Sequence, residues 1–359
     1  MKIKELSYLD PNWELKNIQF GVVNLIVGKN ATGKTRTLQT IDLLVKMIAQ
    51  KRDLNWGGQW EAKFENEKKD EIRYQFSSSY QKHGVTFEKI LLNGDLVLSR
   101  DRKNNNEQAK IKNFLENTWD VVYPPENKLV IHTNRDKRKF PFLEDIANWA
   151  EQSFGFKFGN INPYILLNQQ EYDLLTAVEE IPALFKTLNS AEKNEIMIDI
   201  NSIGYSIEKI SVHDKAEFAI LFVKEQGIEK PVPHFKLSQG MFRALAVMIY
   251  IQYLKSKKQP ATLMIDDLCE GLDYERATKL GKLIFDKCKK DNIQLIVTSN
   301  DSFLMEVVEL KYWNLLFRKG KQVEGLNCIT SPEIFENFQF TGLSNFDFFS
   351  SDFLKTQGV

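Results

Sequence analysis

The sequence predicts an α/β fold: a mixed, largely parallel sheet with crossover helices, interrupted by an antiparallel β lobe and a helical lobe. Three observations predict it. Apolar runs of strand length alternate with helix-period segments at both ends of the 359-residue chain. From about residue 58 to 100 the pattern changes to short β-forming runs broken by turn residues. Residues 160–205 then carry largely helical patterning. In this reading one domain spans 1–359, the inserted lobes occupy 55–235, and a Phe-rich tail occupies 340–359.

The elements follow in chain order. Residues 18–27, IQFGVVNLIV, form an almost unbroken apolar run, the mark of a strand covered on both faces. After a Gly-rich loop, TRTLQTIDLLVKMIAQ places Leu38, Ile41, Leu44, Val45 and Ile48 on one helical stripe. WEAKF, EIRYQFSSS, VTFEKILLNG and DLVLSR are β-forming, with Asn93-Gly94-Asp95 as a hairpin turn. RDRKNNNEQAK reads as a polar loop and KLVIHTN as a strand; Pro141 opens a helix that runs to about Gln152. FAILFVKEQG returns to strand, and a helix over 241–255 precedes strand ATLMIDD, helix YERATKLGKLIFDKCKKD and strand IQLIVTSN. WNLLFRKG supplies a last strand. Alternation of this kind requires parallel pairing through crossovers.

The loop GKNATGKT comprises Gly28, Lys29, Asn30, Ala31, Thr32, Gly33, Lys34 and Thr35 and matches G-x-x-x-x-G-K-[ST] between a strand and a helix. Its glycines let backbone N–H groups wrap phosphates, Lys34 reaches the β- and γ-phosphates, and the Thr35 hydroxyl suits Mg²⁺. ATLMIDD ends an apolar strand in Asp266 and Asp267, an arrangement buried strands avoid unless a cation waits there. Asp266 suits Mg²⁺, and Asp267 is placed to orient an attacking water; the alternative is that one of them caps a helix. Far downstream of the first loop, Leu237, Ser238, Gln239 and Gly240 head another apolar helix. A Ser-x-Gly turn there leaves unpaired N–H groups at the positive end of a helix dipole, an anion site, or serves as an ordinary N-cap.

Composition narrows the function classes. Lys+Arg and Asp+Glu both number 48, so no global basic excess advertises nucleic-acid binding. The run NRDKRK at 134–139 is either a local basic patch or a solvated loop. Cys269, Cys288 and Cys328 are scattered, arguing for a reduced compartment, and His83, His132, His213 and His234 show no ligand spacing. No apolar run approaches membrane-spanning length and no leader is evident, so a soluble cytoplasmic protein with no membrane partner is expected. Trp13 is either a core residue or a stacking platform for a base. Phe346, Phe348, Phe349 and Phe353 recur too closely for one helical stripe and make the tail either core packing or a docking segment.

The first loop, the distant LSQG, the apolar strand ending in two acids and the loop ending in Gly271-Leu272-Asp273 together resemble the ATPase head of the ABC superfamily. The opening PNWELKNIQFGVVNLIVGKNATGKT narrows the resemblance to the SMC/RecF/OLD-like branch rather than transporter subunits. It covers about 1–50 and 235–305; the middle carries no motif that can be assigned. The resemblance implies ATP and Mg²⁺ as ligands, a signature motif at 237–240 that binds the γ-phosphate held by a partner copy, and a D-loop in which Asp273 crosses the same interface. Two positions depart from the family pattern. Asp267 stands where Glu is usual, and Asn300 where a switch His is usual, so binding and slow hydrolysis are expected rather than fast turnover. Glu270 is the nearest substitute acid, and Gln75, Gln169 and Gln170 are candidates for the glutamine that closes such sites. The implied assembly is an ATP-dependent homodimer, or a larger even-numbered one, that controls or scaffolds an effector protein in bacterial anti-phage defence. The alternative is a RecF/SMC-like DNA repair or recombination ATPase acting directly on DNA.

Overall fold

Every second residue of β1 (Lys2–Asp10) should face the core, yet its buried residues are Ile3, Leu6 and Tyr8. Register shifts between Ile3 and Glu5 and between Leu6 and Tyr8 restore the phase, as β-bulges do. β1 turns through Pro11 into β2 (Trp13–Gln19), and β3 (Val23–Val27) follows with all five residues buried. The computed structural model describes residues 1–52, 54, 57–79, 84–102, 108–158, 177–215 and 218–356.

Helix α1 (Lys34–Ile48) leaves the Gly-rich loop and buries Leu38, Ile41, Leu44, Val45 and Ile48, the stripe its spacing predicted. Six antiparallel strands come next: β4 (Gly58–Glu65), β5 (Glu71–Ser79), β6 (Gly84–Leu92), β7 (Asp95–Asp101), β8 (Ala109–Asn113) and β9 (Thr118–Val122). Because β4 pairs with β1, these strands extend the central sheet. Helices α2 (Val130–Thr133) and α3 (Pro141–Glu151) return the chain, and β10 (Ser153–Lys157) enters the sheet beside the later β14 (Thr262–Asp266), in parallel register. Sequence patterning missed β10, which is only five residues long.

Between β10 and β14 lie α4 (Ala177–Thr187), α5 (Ser190–Ser202), β11 (Ile207–Lys215), β12 (Phe218–Glu225), the two-residue β13 (Val232–Pro233) and α6 (Gln239–Lys257). Residues 159–176, the first part of the expected helical stretch, lie outside the described residues. After β14 come α7 (Tyr274–Lys290), β15 (Gln294–Thr298), α8 (Ser302–Val307), β16 (Trp313–Lys319), β17 (Gln322–Asn327), α9 (Pro332–Gln339), α10 (Asn345–Ser350) and α11 (Phe353–Thr356). Among the described residues fourteen strands form one sheet, ordered β10-β14-β15-β3-β16-β17-β2-β1-β4-β5-β6-β7-β8-β9, and β11–β13 form a second. The run from β10 to β16 is parallel.

The large sheet separates two cores. Val23, Leu25 and Val27 of β3 face the side covered by α6 and α7, whereas Ile26 faces the side covered by α1 and α3. On the α6 side, α5 is tied down by ions: Glu195 accepts hydrogen bonds from Lys255 (2.7 Å) and Lys287 (2.6 Å), and Lys287 also meets Asp199 at 2.8 Å. Burial pulls the Glu195 carboxyl upward, but the two ammonium groups outweigh it and hold the carboxyl down to about 2. The Phe-rich tail packs on its own chain. Phe348 is fully buried, its ring 4.8 Å from those of Phe335 and Phe338, while Phe346, Phe349 and Phe353 are half-buried against the same core.

One sequence expectation fails at 128–134, where KLVIHTN forms α2 instead of a strand. Tertiary hydrogen bonds override β-propensity there. The Val130 N–H is captured by both oxygens of Glu88, at 3.1 and 3.0 Å, and His132 Nε2 lies 3.0 Å from the Met47 carbonyl. Glu88, fully buried on β6, also accepts from the Tyr74 hydroxyl at 2.7 Å and faces Arg100 at 3.9 Å. Arg100 in turn donates to the carbonyls of Pro124, Pro125 and Lys128, so this knot pins the 124–130 segment to the antiparallel strands.

Burial pushes the Glu88 carboxyl up from 4.5 to about 7, with the Val130 N–H, Tyr74 and Arg100 only partly offsetting it. A raised carboxyl pKa means that the folded state favours the neutral acid. Its contribution is therefore fully present below the unfolded value and declines as pH rises through the folded one. Chemical denaturation at about pH 5 and about pH 8 should show the wild type losing stability relative to Glu88→Gln by roughly 1–3 kcal/mol. Parallel pH dependence of the two proteins would contradict this account.

Candidate functional site

The loop at 28–35 leaves the buried end of β3 and is shaped by two glycines. A Cβ on Gly28 would lie 2.6 Å from Thr32 Oγ1 and 3.0 Å from the Leu316 carbonyl. Gly33 has φ +100°, and a Cβ there would sit 2.1 Å from the Trp13 ring. Trp13 is fully buried beneath the loop, with the Arg36 guanidinium 4.6 Å from its ring centroid. It is a core residue, not a platform for a base. The loop closes on itself through Thr32, whose hydroxyl donates to the Lys29 carbonyl at 2.8 Å. Lys34 arches back over it and donates to the carbonyls of Gly28 (2.6 Å) and Lys29 (3.3 Å). Burial lowers the Lys34 ammonium from its ordinary value, and the charges of Asp267 and Asp266 partly restore it.

The ends of β14 and β15 meet this loop. Thr35 Oγ1 donates to Asp266 Oδ1 at 3.1 Å, and the fully buried Thr298 donates to the same oxygen. Thr298 Oγ1 also accepts the Asp267 N–H at 2.9 Å. Asp267, Cys269 and Gly271 have φ of +55°, +73° and +78°, so left-handed residues alternate through the loop that follows. For Asp267 and Cys269 that conformation costs energy, and such strain concentrates where function dictates geometry. Burial raises the Asp267 carboxyl above its usual range, and neighbouring Asp266 adds to the effect. Lys157, whose Nζ lies 3.7 Å from Asp267 Oδ2, opposes it. Asp267, Glu270 and Asn300 line one concavity of about 330 Å³.

The LSQG segment lies against the far end of the same loop. Ser238 caps α6 by accepting the Met241 N–H at 3.3 Å, and Asp273 caps α7 by accepting the Arg276 N–H at 3.0 Å. The capping alternative is thus realised for Ser238, and Asp273 caps as well. A cap satisfies one N–H and leaves the rest of the first turn open. Leu237 is buried; Ser238, Gln239 and Asp273 are exposed. A Cβ on Gly240 would lie 2.8 Å from Leu272 Cδ2, and Arg243 donates to the Glu270 carbonyl (2.9 Å) and to Gln239 Oε1 (3.1 Å). These contacts join LSQG to the loop that carries Glu270 and Asp273.

The structure thus brings Lys34, Thr35, Asp266, Asp267 and Asn300 to one place, with Ser238, Gln239 and Asp273 at the neighbouring surface. Gln75 is on β5, lining a different concavity with Tyr8, Trp60 and Phe76; Gln169 and Gln170 lie outside the described residues. Within the run at 134–139, Arg135 pairs with Glu144 at 2.7 Å and Glu151 at 3.0 Å. Among the described residues, which exclude His83, no group of three His, Cys, Asp or Glu side chains suits a metal ion. Sequence reasoning missed two members of the site. Thr298 had a signal, a hydroxyl ending the apolar run QLIVT; Lys157 had none, since a lysine ending a short strand looks like surface.

Residues 23–306 match the family described as "AAA domain, putative AbiEii toxin, Type IV TA system", and the chain belongs to that family. Its fold is that of an SMC-type ATPase head. It is similar to an SmcHead bound to the C-winged helix domain of ScpA: 14% identity, TM-score 0.53, 91% of this chain and 97% of that one covered. It is also similar to an Smc head domain with an extended coiled coil bound to the C-terminal domain of ScpA, derived from Pyrococcus furiosus. That match has 13% identity and a TM-score of 0.52, and covers 94% of this chain and 99% of that one. No curated protein matches the sequence.

The contact between Gly33 and Trp13 generates a stability test. Gly33→Ala meets both an unfavourable φ and the indole ring, so a loss of about 2–4 kcal/mol is expected. Trp13→Leu removes the ring and creates a cavity. Because both substitutions act on one contact, the double variant should lose less than the sum of the single losses, as measured by urea denaturation. Strict additivity would mean that the ring does not constrain the loop.

Proposed function

We propose, from that family membership, that the protein binds ATP with Mg²⁺, hydrolyses it slowly, and dimerises around it to control an effector protein. The observation that carries the reading is the Thr35–Asp266 hydrogen bond, which puts a loop hydroxyl and a strand-end carboxylate together beside Lys34. Two hard oxygen donors with room for water and phosphate oxygens suit Mg²⁺, which usually takes few protein ligands. When bound, Mg²⁺ would supply positive charge against the phosphates. Thr35 and Asp266 would hold it, with Thr298 fixing the carboxylate.

Lys34 exchanges the carbonyls of Gly28 and Lys29 for phosphate oxygens, trading neutral acceptors for anionic ones. Asp267, with Asn300 across the same concavity, orients the attacking water. Its carboxylate is one methylene shorter than the glutamate usual in the ABC superfamily, and Asn300 cannot carry a proton, so slow turnover follows. Glu270, exposed at the rim, is the acid available if Asp267 does not act.

Exposure of Ser238, Gln239 and Asp273 supports dimerisation. The first turn of α6, a helix of 19 residues, points its open N–H groups outward, where a γ-phosphate held by a second copy would fit. An output through another protein is supported by the Smc heads that bind ScpA, and a defence setting by the toxin named in the family description. Direct action on DNA has weaker support, because net charge is zero and Arg135 of the 134–139 run is engaged by two acids.

Two experiments test this. Lys34→Ala should abolish ATP binding, while Asp267→Asn should keep it and slow hydrolysis by about 10²-fold or more, read by calorimetry and phosphate release. Near-wild-type ATP affinity in Lys34→Ala would remove the loop from the mechanism, and normal hydrolysis by Asp267→Asn would shift the water-orienting role to Glu270.

Ser238→Arg puts a bulky cation at the head of α6. ATP binding by the single chain should persist and ATP-driven association should be lost, as followed by sedimentation. Unimpaired association would refute the assignment of 237–240 to the interface.

A further inference from the structure

Lys157 enters the site from an unexpected direction. It is the last residue of β10, a strand contributed by the long segment between the Gly-rich loop and LSQG. Parallel register sets Lys157 opposite Asp266, so the carboxyl ends of β10 and β14 finish at the same level. Ligands of open parallel sheets bind at that edge. The backbone at Lys157 is held from both sides. Before it runs the ladder to β14; after it Phe158 is fully buried, with the Arg243 guanidinium 5.8 Å from its ring centroid.

The charge arrangement gives the side chain a task. Asp266, Asp267 and Glu270 crowd the strand ends, and Lys34 is engaged by two carbonyls of its own loop. Lys157 Nζ, 3.7 Å from Asp267 Oδ2, meets the acids with its side chain 36% exposed. A half-exposed ion pair of this kind is weak. Terminal phosphate carries more charge than a carboxylate and more acceptor oxygens, so it competes well for the same ammonium.

We propose that Lys157 is a specificity-determining residue of the ATP site: it pairs with Asp267 in the free chain and moves to the terminal phosphate of ATP, thereby discriminating ATP from ADP. This rests on the ATP reading given above. The move also frees the Asp267 carboxylate for water at the moment the nucleotide is loaded. ADP offers no phosphate at that depth, and with it the Lys157–Asp267 pair persists.

The test is calorimetric binding of ADP and of a non-hydrolysable ATP analogue, each with Mg²⁺, to the full chain as wild type, Lys157→Ala and Lys157→Arg. Lys157→Ala should weaken the ATP analogue about tenfold, one charge-assisted hydrogen bond, and leave ADP within about twofold. Lys157→Arg should restore most of the lost affinity. Equal weakening of both nucleotides would make Lys157 a structural residue. No change in either would make its contact with Asp267 a surface ion pair. Both results overturn the proposal while leaving the ATP site standing. A wild-type chain that binds neither nucleotide overturns the ATP reading itself.

Discussion

The Asp266 carboxylate organises the candidate site. One of its oxygens accepts from Thr35 at the start of α1 and from Thr298 at the end of β15, so the Gly-rich loop and two strand ends share a single acceptor. Thr298 also holds the Asp267 N–H, which fixes where the next carboxylate emerges. A carboxyl at 6% exposure needs such donors, because a polar group buried without partners is costly. The same demand makes the place receptive to a cation. The rest of the site is arranged around this buried carboxyl and the two hydroxyls that donate to it.

A second constraint is backbone strain. Left-handed residues at Asp267, Cys269 and Gly271 fold seven residues into a loop that leaves β14, passes the concavity and reaches the cap of α7. Cys269 is buried and its thiol donates to the Ala277 carbonyl at 3.4 Å, while Leu268 bonds to the Thr298 carbonyl at 2.9 Å. These anchors oppose the unfavourable dihedrals. They also couple Asp267 at one end to the Gly240–Leu272 contact at the other, so the water-facing acid and the exposed head of α6 belong to one mechanical unit.

The intervening segment is woven into the sheet more closely than its patterning suggested. β4 to β9 continue the sheet from β1, and β10 borders β14 on the opposite edge. The segment brings Lys157 to the site and carries a long antiparallel face away from it. The outer hairpin exposes Trp119, Val121 and Tyr123, alternate positions on the edge strand and just beyond it.

The sequence by itself determined the fold class, the Gly-rich loop, the two acids ending a buried strand and the LSQG turn. Each is local: a few adjacent residues whose φ range, charge or apolarity admits few other structures, as with Gly33 or Asp266-Asp267. Only tertiary structure decided the rest. KLVIHTN became a helix because Glu88, far away in sequence, captured the Val130 N–H. Trp13 became the floor of the loop because Gly33 has no side chain to occupy that volume. Lys157 joined the site through strand register, and Thr298 through a hydroxyl shared between two carboxylate-bearing residues. Those outcomes depend on partners more than a hundred or only a few tens of residues distant, and the energy of a long-range hydrogen bond or ion pair leaves no periodicity in the chain that makes it.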